Sequence, residues 1–579
     1  MLANSPSLLA VRGWHTLRAN WSAWLLLFFF VAFLLYPVAY LLPAALRDRH
    51  GWTVSYLIAI WYHPVLWRAT LNSLLLGLVT VLGTTCVTLP LAWTVARYRL
   101  PATNLLIGLL LLPLILPPFV GALGLEQFLH PFGALNTLLM RCHLLRPDQP
   151  VDWLAGSGFW GVAVMQILHL YPILFLNLVT AFANIDRTLE EAALSLGASR
   201  WHVWKNITLP LALPGYFAGA ILVFLAAFTD LGTPLMFNYP YLIAVQIFNL
   251  VSEREVNPLG YALVLVVLLV SSGVFYTGRR YILRRSYAFS PRGTQAIVSQ
   301  PLSIWLSLSI WTYVIILLIL SLLPHFMVVL LALEGRWQFT VLPEVYSLDH
   351  FRTLLQEDIV GIAVRNSLLY SLWSTFLDLL VGFSIAWLVL RRPTRLSSLL
   401  DHLAMLPLAL PGLVLAFGYL TAYRRLPLGP LGSWFDPGAN PTLLLILAYT
   451  VRRLPYVLRS ALAGLQQVPP MLEEAAASLG ASRWRVWTTV TLPLIRPHLL
   501  AGGTLAFAFA MLEVSDSLML AQQERYYPIT RAIYGLSLRP DDGPMVASAL
   551  GVIGMVLLFL ALLVASRTLG RSFAEVFRA

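Results

Sequence analysis

Apolar residues fall along this chain in about twelve long blocks that short polar segments separate. Examples are WLLLFFFVAFLLYPVAYLL at 24–42, LIGLLLLPLILPPFVGALGL at 106–125 and GVIGMVLLFLALLVA at 551–565. Because a helix needs roughly 20 apolar residues to cross a bilayer, these blocks predict transmembrane helices. The predicted spans lie near residues 22–46, 70–96, 103–124, 158–182, 211–236, 258–278, 304–333, 362–390, 398–422, 441–466, 496–521 and 543–568.

The composition agrees with a membrane protein. Of the 579 residues, 59% are hydrophobic and 11% are charged. Soluble domains carry about a quarter charged residues, so this chain has too few to cover a water-facing surface. We therefore predict an all-α polytopic membrane protein with about twelve transmembrane helices.

The net charge of +12 would also suit a protein that binds nucleic acid, but the placement of the arginines argues for a lipid bilayer instead. The densest basic segments all fall on one side of the predicted membrane. They are Arg97 with Arg99, GRRYILRR at 278–285, and Arg391, Arg392 and Arg395. Basic loops are enriched on the cytoplasmic side, which predicts that both termini are cytoplasmic.

The chain is internally duplicated. NSLL at 72–75 recurs at 366–369, and Pro113 and Pro117 recur as Pro407 and Pro411, all at an offset of 294 residues. Beyond the next loop the offset becomes 283. Six helices in each half would return the chain to its starting side, so the two halves would be parallel and related by a pseudo-twofold axis along the membrane normal. The predicted division is a first half at 1–285, a basic cytoplasmic linker at 286–303 and a second half at 304–579.

One polar segment is written twice, as EEAALSLGASRWHVW at 190–204 and EEAAASLGASRWRVW at 473–487. Its acidic pair suits the start of a short helix, and Gly197 suits a left-handed C-terminal cap. Ser199 can cap a second short helix that ends where Leu209 and Pro210 lead back into the membrane. We call the two predicted helix–Gly–helix segments, at 190–210 and 473–493, the elbows. The simpler interpretation is a pair of interfacial helices that shield the bundle.

The pattern EEAA, three residues, Gly and a hydrophobic stretch ending in Leu-Pro resembles the signature of the membrane subunits of bacterial binding-protein-dependent ABC importers. The resemblance implies a fused double permease with the type I importer fold in the bacterial inner membrane. It also implies two copies of a cytoplasmic ATPase and a periplasmic binding protein as partners. In that family the elbow is a coupling helix that docks in the ATPase. The coupling residues implied here are Glu190, Glu191, Ala192, Gly197, Glu473, Glu474, Ala475 and Gly480.

The sequence indicates that the motor lies on another polypeptide. A Walker A loop needs a lysine after a glycine-rich turn, and the only lysine, Lys205, stands in HVWKNITLP. We therefore expect a transport subunit that is not an enzyme and carries no cofactor.

Acidic residues at membrane depth are candidates for the transport pathway. Asp230 lies in FTDLGTP, Glu513 is its repeat counterpart, and Asp516 follows closely. Carboxylates would suit a hard cation such as Fe³⁺, although no metal site can be assigned from the pattern. The alternative is that Asp230 and Glu513 lie near the outer surface, where an acid ends a helix, as before Gly232, or pairs with an arginine.

The cargo stays open at this point. The layout and FTDLGTP most resemble ferric-iron permeases, while the thiamine, polyamine and aminoethylphosphonate branches share the layout. A secondary transporter would also explain twelve helices in two parallel halves, but it gives no reason for two elbows.

Overall fold

The computed structural model describes residues 21–48, 50–154, 158–252, 257–284, 300–301, 303–337, 339–424 and 432–569. The described chain is almost entirely helical. Three minimal strand pairs accompany the helices: β1 (Arg47–Asp48) with β2 (Gly51–Trp52), β3 (Tyr98–Arg99) with β4 (Gln300–Pro301), and β5 (Glu334–Arg336) with β6 (Val345–Tyr346). The first and third pairs are antiparallel, and the second is parallel.

The helices up to the predicted linker include the long membrane-sized ones and several short connectors. They are α1 (Trp21–Leu46), α2 (Ser55–Tyr62), α3 (Pro64–Arg97), α4 (Thr103–Ile115), α5 (Pro118–Leu129), α6 (Ala134–Arg141), α7 (Phe159–Ala183), α8 (Arg187–Ser195), α9 (Arg200–Val203), α10 (Leu209–Phe228), α11 (Gly232–Met236), α12 (Ile243–Ser252) and α13 (Pro258–Arg284). A π turn at Val31–Leu35 lies inside α1, and another at Trp204–Thr208 joins α9 to α10.

The remaining helices repeat much of this order. They are α14 (Ile304–Ala332), α15 (Asp349–Gln356), α16 (Asp358–Arg391), α17 (Arg395–Met405), α18 (Gly412–Ala422), α19 (Gly432–Phe435), α20 (Thr442–Gln467), α21 (Pro470–Ser478), α22 (Arg483–Val486), α23 (Leu492–Met511), α24 (Ser515–Leu520), α25 (Ile529–Ser537) and α26 (Gly543–Leu569). A π turn at Trp487–Thr491 joins α22 to α23, and 3-10 turns lie at Leu406–Leu408 and Glu524–Tyr526.

Among the described residues, nine helices are long and apolar enough to cross a membrane, or eleven if each of two sharply bent pairs counts as one span. The predicted span near 441–466 is present as α20 but is not among them. Its arginines, Arg452, Arg453 and Arg459, make it less apolar than the others. These long apolar helices agree with the predicted all-α polytopic fold.

The sequence predicted straight spans at four places where the structure has breaks. The helix pairs around Pro117 and Pro411 bend by 85° and 104°. Pro117 and Pro411 both have an extended backbone conformation, and Leu116 before Pro117 is extended as well. The preceding helix ends at this point, and the next helix starts directly after each proline. The predicted spans 211–236 and 496–521 end early, at Phe228 and Met511, before the short helices α11 and α24.

The chain packs as two compact units that do not follow the order of the repeat. The first-half unit comprises Ala44–Val364 and Tyr527–Leu557. The second-half unit comprises the described residues up to Pro43, Arg365–Tyr526 and those from Leu558 onward. Helix α1 therefore packs with second-half helices, and α14 packs with first-half helices. The predicted linker at 286–303 lies almost entirely outside the described residues, and the division into two sequence halves stays a prediction.

Each unit is built on three long helices that are equivalent in the repeat. They are α3, α7 and α10 in the first-half unit and α16, α20 and α23 in the second-half unit. In the first-half unit α3 and α10 both pack along α7, and in the second-half unit α23 packs along α20. Small residues allow close approach: a Cβ at Gly382 of α16 would lie 3.0 Å from the Val457 side chain of α20. At one end of each trio, a short helix and a tight turn connect the middle helix to the next one.

Candidate functional site

The first elbow contains a short helix that ends in a glycine cap. Helix α8 begins three residues earlier than the sequence predicted, at Arg187, because Asp186 caps it by accepting a hydrogen bond from the Thr188 backbone N–H at 2.9 Å. Hydrogen bonds from Thr188 hold the pKa of Asp186 below its ordinary value. At the other end the Ala198 N–H reaches the Ala193 carbonyl, 3.0 Å, while Gly197 adopts a φ of +88°. This is a Schellman cap, which favours glycine at that position.

The turn after Gly197 leads straight into the next long helix. Ser199 accepts a hydrogen bond from the His202 N–H at 3.2 Å and so caps α9. A π turn then carries the chain into α10 without an interruption, so the predicted second short helix is the first turn of a long helix. The elbow is therefore fixed at both ends by the local sequence.

The second elbow repeats this geometry. Helix α21 ends at Ser478, Ala481 N–H reaches the Ala476 carbonyl at 3.1 Å, and Gly480 has a φ of +85°. The π turn and the start of α23 also fall at the equivalent residues. Among the residues that the structure describes, a Cβ added at Gly197 or Gly480 would meet no atom within 4 Å. The glycines are required by backbone conformation and not by packing.

Both elbows expose apolar side chains at their tips. Leu196 is 89% exposed and Leu479 is 90% exposed, and Trp201 and Trp484 are exposed beside them. The predicted coupling residues Glu191, Ala192, Glu474 and Ala475 are also exposed. Large exposed leucine and tryptophan side chains grouped on one surface are typical of a site that binds another protein.

The first glutamate of each elbow has a different environment from the second. Arg97, at the end of α3, donates from Nη2 to Glu190 Oε1 at 2.6 Å, and Thr208 Oγ1 donates to the same oxygen at 2.5 Å. The Glu190 side chain is only 17% exposed. We call this group the first anchor.

An equivalent contact holds the second elbow. Arg391, at the end of α16, donates from Nε to Glu473 Oε2 at 3.1 Å and from Nη2 to Oε1 at 3.2 Å. Thr491 Oγ1 donates to Oε1 at 3.2 Å. We call this group the second anchor. Sequence reasoning missed the arginine and threonine of both anchors, although each pair repeats at the offsets that define the duplication.

Asp230 lies just past the end of α10 and caps a helix. It accepts hydrogen bonds from the Thr233 backbone N–H at 3.1 Å and from Gln166 Nε2 at 2.7 Å. The backbone hydrogen bond lies at the start of α11, whereas α10 has already ended at Phe228, and the pathway role stays a prediction. The side chain has no arginine among these partners.

Glu513 and Asp516 lie in a buried group with two arginines. Arg452 Nη1 donates to both acids, at 3.1 Å to Asp516 Oδ2, and Arg453 Nη2 donates to Glu513 Oε2. The two acidic side chains are 3% and 0% exposed. We call these four residues the charged cluster. The structure thus brings together two of the three predicted pathway residues, and Asp230 is the repeat counterpart of Glu513 in the other unit.

The described residues do not bring three potential metal ligands together. Among the described residues, no group of three or more His, Cys, Asp or Glu side chains is arranged to hold a metal ion. In the charged cluster Arg452 pairs with both acids and Arg453 pairs with Glu513, so arginine neutralises carboxylates that a cation would need.

The sequence also matches a protein family. The model of the binding-protein-dependent transport system inner membrane component matches residues 9–288 and 378–571. The chain belongs to this family. The two separate matches confirm that the permease domain occurs twice, and the resemblance carried by the elbows is confirmed with them.

Several relatives are named as permease proteins of transport systems. The chain is 28% identical to the ferric transport system permease protein FbpB of Actinobacillus pleuropneumoniae, over 93% of this chain and 76% of that one. It is 27% identical to the putative ferric transport system permease protein FbpB 1 of Haemophilus influenzae, over 87% and 78%. The molybdenum transport system permease protein ModB of Escherichia coli is 34% identical over 30% of this chain and 71% of its own length.

Membership of this family explains why the chain consists mostly of apolar helices. The chain is the membrane-embedded permease subunit of an ABC importer of the inner membrane, with the all-α type I fold. A permease of this family works with an ATPase and with a substrate-binding protein. Each elbow of this chain has an exposed surface whose sequence is repeated in the other half.

Proposed function

We propose that this permease imports ferric iron and that its two elbows receive force from two copies of a separate ATPase. Glu191, Ala192 and Gly197 would act with Glu474, Ala475 and Gly480 in this coupling, and Glu190 and Glu473 would act with them. The observation that carries the proposal is the duplicated elbow, with the same glycine cap and the same exposed leucine in each half. A secondary transporter would need neither copy.

The number of partners and the orientation follow from the same feature. Two equivalent elbows support two ATPase copies, one for each half. The arginines beside both elbows support a cytoplasmic location for the elbows and for both termini. The single lysine, outside any Walker-type sequence, supports a chain that leaves nucleotide hydrolysis to its partner.

Ferric iron is proposed as cargo because two relatives that cover 87% and 93% of the chain are named ferric transport system permease proteins. The charged cluster would lie on or beside the pathway, together with Asp230 in the first half. Fe³⁺ prefers anionic oxygen ligands. Among the described residues, Asp230 accepts hydrogen bonds from Gln166 and Thr233 and not from arginine, so of the three predicted pathway acids its carboxylate suits a cation best.

The test is transport by the reconstituted complex. Proteoliposomes that contain the permease, its ATPase and the binding protein loaded with radioactive Fe³⁺ should accumulate iron only when ATP is supplied. Thiamine, a polyamine, aminoethylphosphonate and molybdate should not be accumulated. Iron uptake without the ATPase, or ATP-driven uptake of another of these solutes alone, would contradict the proposal.

The coupling role is tested at the two glycines. Replacing Gly197 and Gly480 with valine should abolish uptake, because a branched side chain in the left-handed region is strained although space is open. The protein should remain in the membrane. Gly273→Val is the matched control, since a Cβ there also meets nothing within 4 Å while the backbone is helical. Normal transport by the double variant would argue against elbow coupling.

A further inference from the structure

The two adjacent glutamates of each elbow differ in what surrounds them. Glu191 and Glu474 are exposed, whereas Glu190 and Glu473 are 17% and 13% exposed and accept hydrogen bonds from arginine and threonine. A motif that looks uniform in sequence therefore contains one outward and one inward carboxylate. The inward one is positioned by residues far away along the chain.

The first anchor joins three separate segments. Arg97 comes from the end of α3, Glu190 from the first turns of α8, and Thr208 from the turn before α10. The same end of α3 also accepts a hydrogen bond at its Arg97 carbonyl, from Arg187 Nη2 at 2.9 Å. Helix α8 is thus tied to α3 at its first residue and again one turn later.

The second anchor is an independent copy of this arrangement. Arg391 reaches Glu473 and also donates from Nη2 to the Val468 carbonyl, 2.9 Å, just before α21. Arg391 lies 294 positions after Arg97. Glu473 and Thr491 lie 283 positions after Glu190 and Thr208. The loop between the arginine and the glutamate changed length, and the contact is nevertheless present in both halves.

We propose that Glu190 and Glu473 are positioning residues, which Arg97 with Thr208 and Arg391 with Thr491 hold so that each elbow moves as one body with α3 or α16. Glu191 and Glu474 then provide the carboxylates that face the ATPase. This proposal deepens the elbow coupling proposed above and rests on it for the ATPase. Charge-assisted hydrogen bonds are roughly twice as strong as neutral ones, so they favour a fixed distance between the elbow and the long helix.

Elbow rigidity can be measured without an ATPase or cargo. In a Cys86→Ser, Cys142→Ser background, a nitroxide attached at Leu196→Cys reports the motion of the elbow, because this side chain is 89% exposed and packs on little. Glu190→Gln should shift the spectrum toward a mobile component. Glu191→Gln, the matched control on the same helix, should leave the spectrum unchanged.

Two results of this measurement would overturn the proposal. One is an unchanged spectrum in Glu190→Gln, and the other is equal mobility in both variants. Because neither ATP nor iron is present, these outcomes differ from a failure of the transport function. If the native complex fails to import iron but the two spectra differ as expected, the anchor stands and the cargo is wrong.

A charge exchange tests the pair in the assembled transporter. Arg97→Glu and Glu190→Arg should each reduce iron uptake per ATP hydrolysed, and the double variant should recover roughly tenfold over the worse single one, within the usual range for coupled pairs. An ATPase contact at Glu190 would not be restored by a change inside the permease. A double variant no better than the worse single one would overturn the proposal.

The two anchors also differ in the geometry of the contact between arginine and glutamate, and replacing each arginine with lysine tests this difference. Arg391 contacts both oxygens of Glu473, whereas Arg97 reaches one oxygen of Glu190. Lysine keeps the charge but loses the planar fork. Uptake per ATP should therefore fall further in Arg391→Lys than in Arg97→Lys. The reverse order would show that the carboxylate geometry does not determine the coupling.

Discussion

The interiors of the two units contain different chemistry at equivalent positions. At the repeat offset of 283 residues, Asp230 corresponds to Glu513, Thr233 to Asp516 and His169 to Arg452. The helices on which they stand have matching boundaries, since α10 ends at Phe228 and α23 ends at Met511. Equivalent helices therefore hold a site with one carboxylate in the first-half unit and a site with two acids and two arginines in the second-half unit.

The first-half site is held by neutral hydrogen bonds and one carboxylate. His169 Nδ1 lies 2.9 Å from the Pro113 carbonyl, at the bent helix pair. Gln166 bridges Asp230 and Thr233, at 2.7 Å and 3.3 Å. Each polar group is satisfied by a nearby donor or acceptor, which is how buried polar groups are usually tolerated.

The second-half site is held by opposite charges. Arg452 packs on Gly412 at the corresponding bend and pairs with Glu513 and Asp516, and Arg453 pairs with Glu513. Ion pairs that are shielded from water persist only when each charge has a partner. The two elbows are nearly identical in sequence and cap geometry, whereas these inner sites differ in charge.

The largest expected effect comes from removing the shared carboxylate of the charged cluster. Glu513→Gln leaves Arg453 without its ionised partner and should lower the free energy of unfolding by about 3–5 kcal/mol. The equivalent Asp230→Asn keeps an acceptor oxygen for Gln166 and Thr233 and should cost about 1 kcal/mol. Reversible unfolding in mixed detergent micelles measures both. Equal losses would mean that the two sites are held in the same way.

A smaller effect is expected at the glycine beneath Arg452. A Cβ at Gly412 would overlap the guanidinium, and moving that group breaks its contacts with the acids. Gly412→Ala should therefore destabilise the protein by about 1–3 kcal/mol, the usual cost of overpacking. Gly503→Ala is the control, because its Cβ would meet Leu379 at an ordinary 3.4 Å. Similar unfolding midpoints for the two variants would show that Arg452 can move freely.

Much of the fold could be predicted because its cause is local. Runs of apolar residues and the two offsets of the repeat identify the long helices and their pairing. The sequence could not show that α1 and α14 pack with helices of the other half, because the choice between two similar bundles depends on side-chain fit. The breaks at Pro117 and Pro411 were visible as prolines, but the bend angles depend on packing.

The elbow was more predictable than the inner sites for a similar reason. Gly197 and Gly480 reveal a left-handed cap through local sequence alone. Arg97 and Arg391 meet their glutamates only after folding, and they lie about 90 positions earlier in the chain. Arg452 and Arg453 are charges in a long helix, and the sequence around them does not identify the acids they bind, which lie about 60 positions later.

The smallest effect is expected at a third acid beside the charged cluster. Asp378 of α16 is fully buried, and neither of its carboxylate oxygens has a hydrogen-bond partner among the described residues. Its counterpart in the first half is Thr84, which is satisfied by the Thr80 carbonyl at 2.8 Å. An unpartnered buried carboxylate is unfavourable, so Asp378→Asn should change the free energy of unfolding by less than about 1 kcal/mol or raise it.

The same detergent titration measures this change beside Glu513→Gln, and Thr84→Val serves as the matched control in the neutral site. A loss in Asp378→Asn as large as that in Glu513→Gln would mean that Asp378 balances the charge of Arg453. The cluster would then need three acids for its two arginines, and it would carry an excess negative charge that the first-half site lacks. A small effect instead confines the ionic contacts to Glu513 and Asp516, the acids that arginine contacts directly.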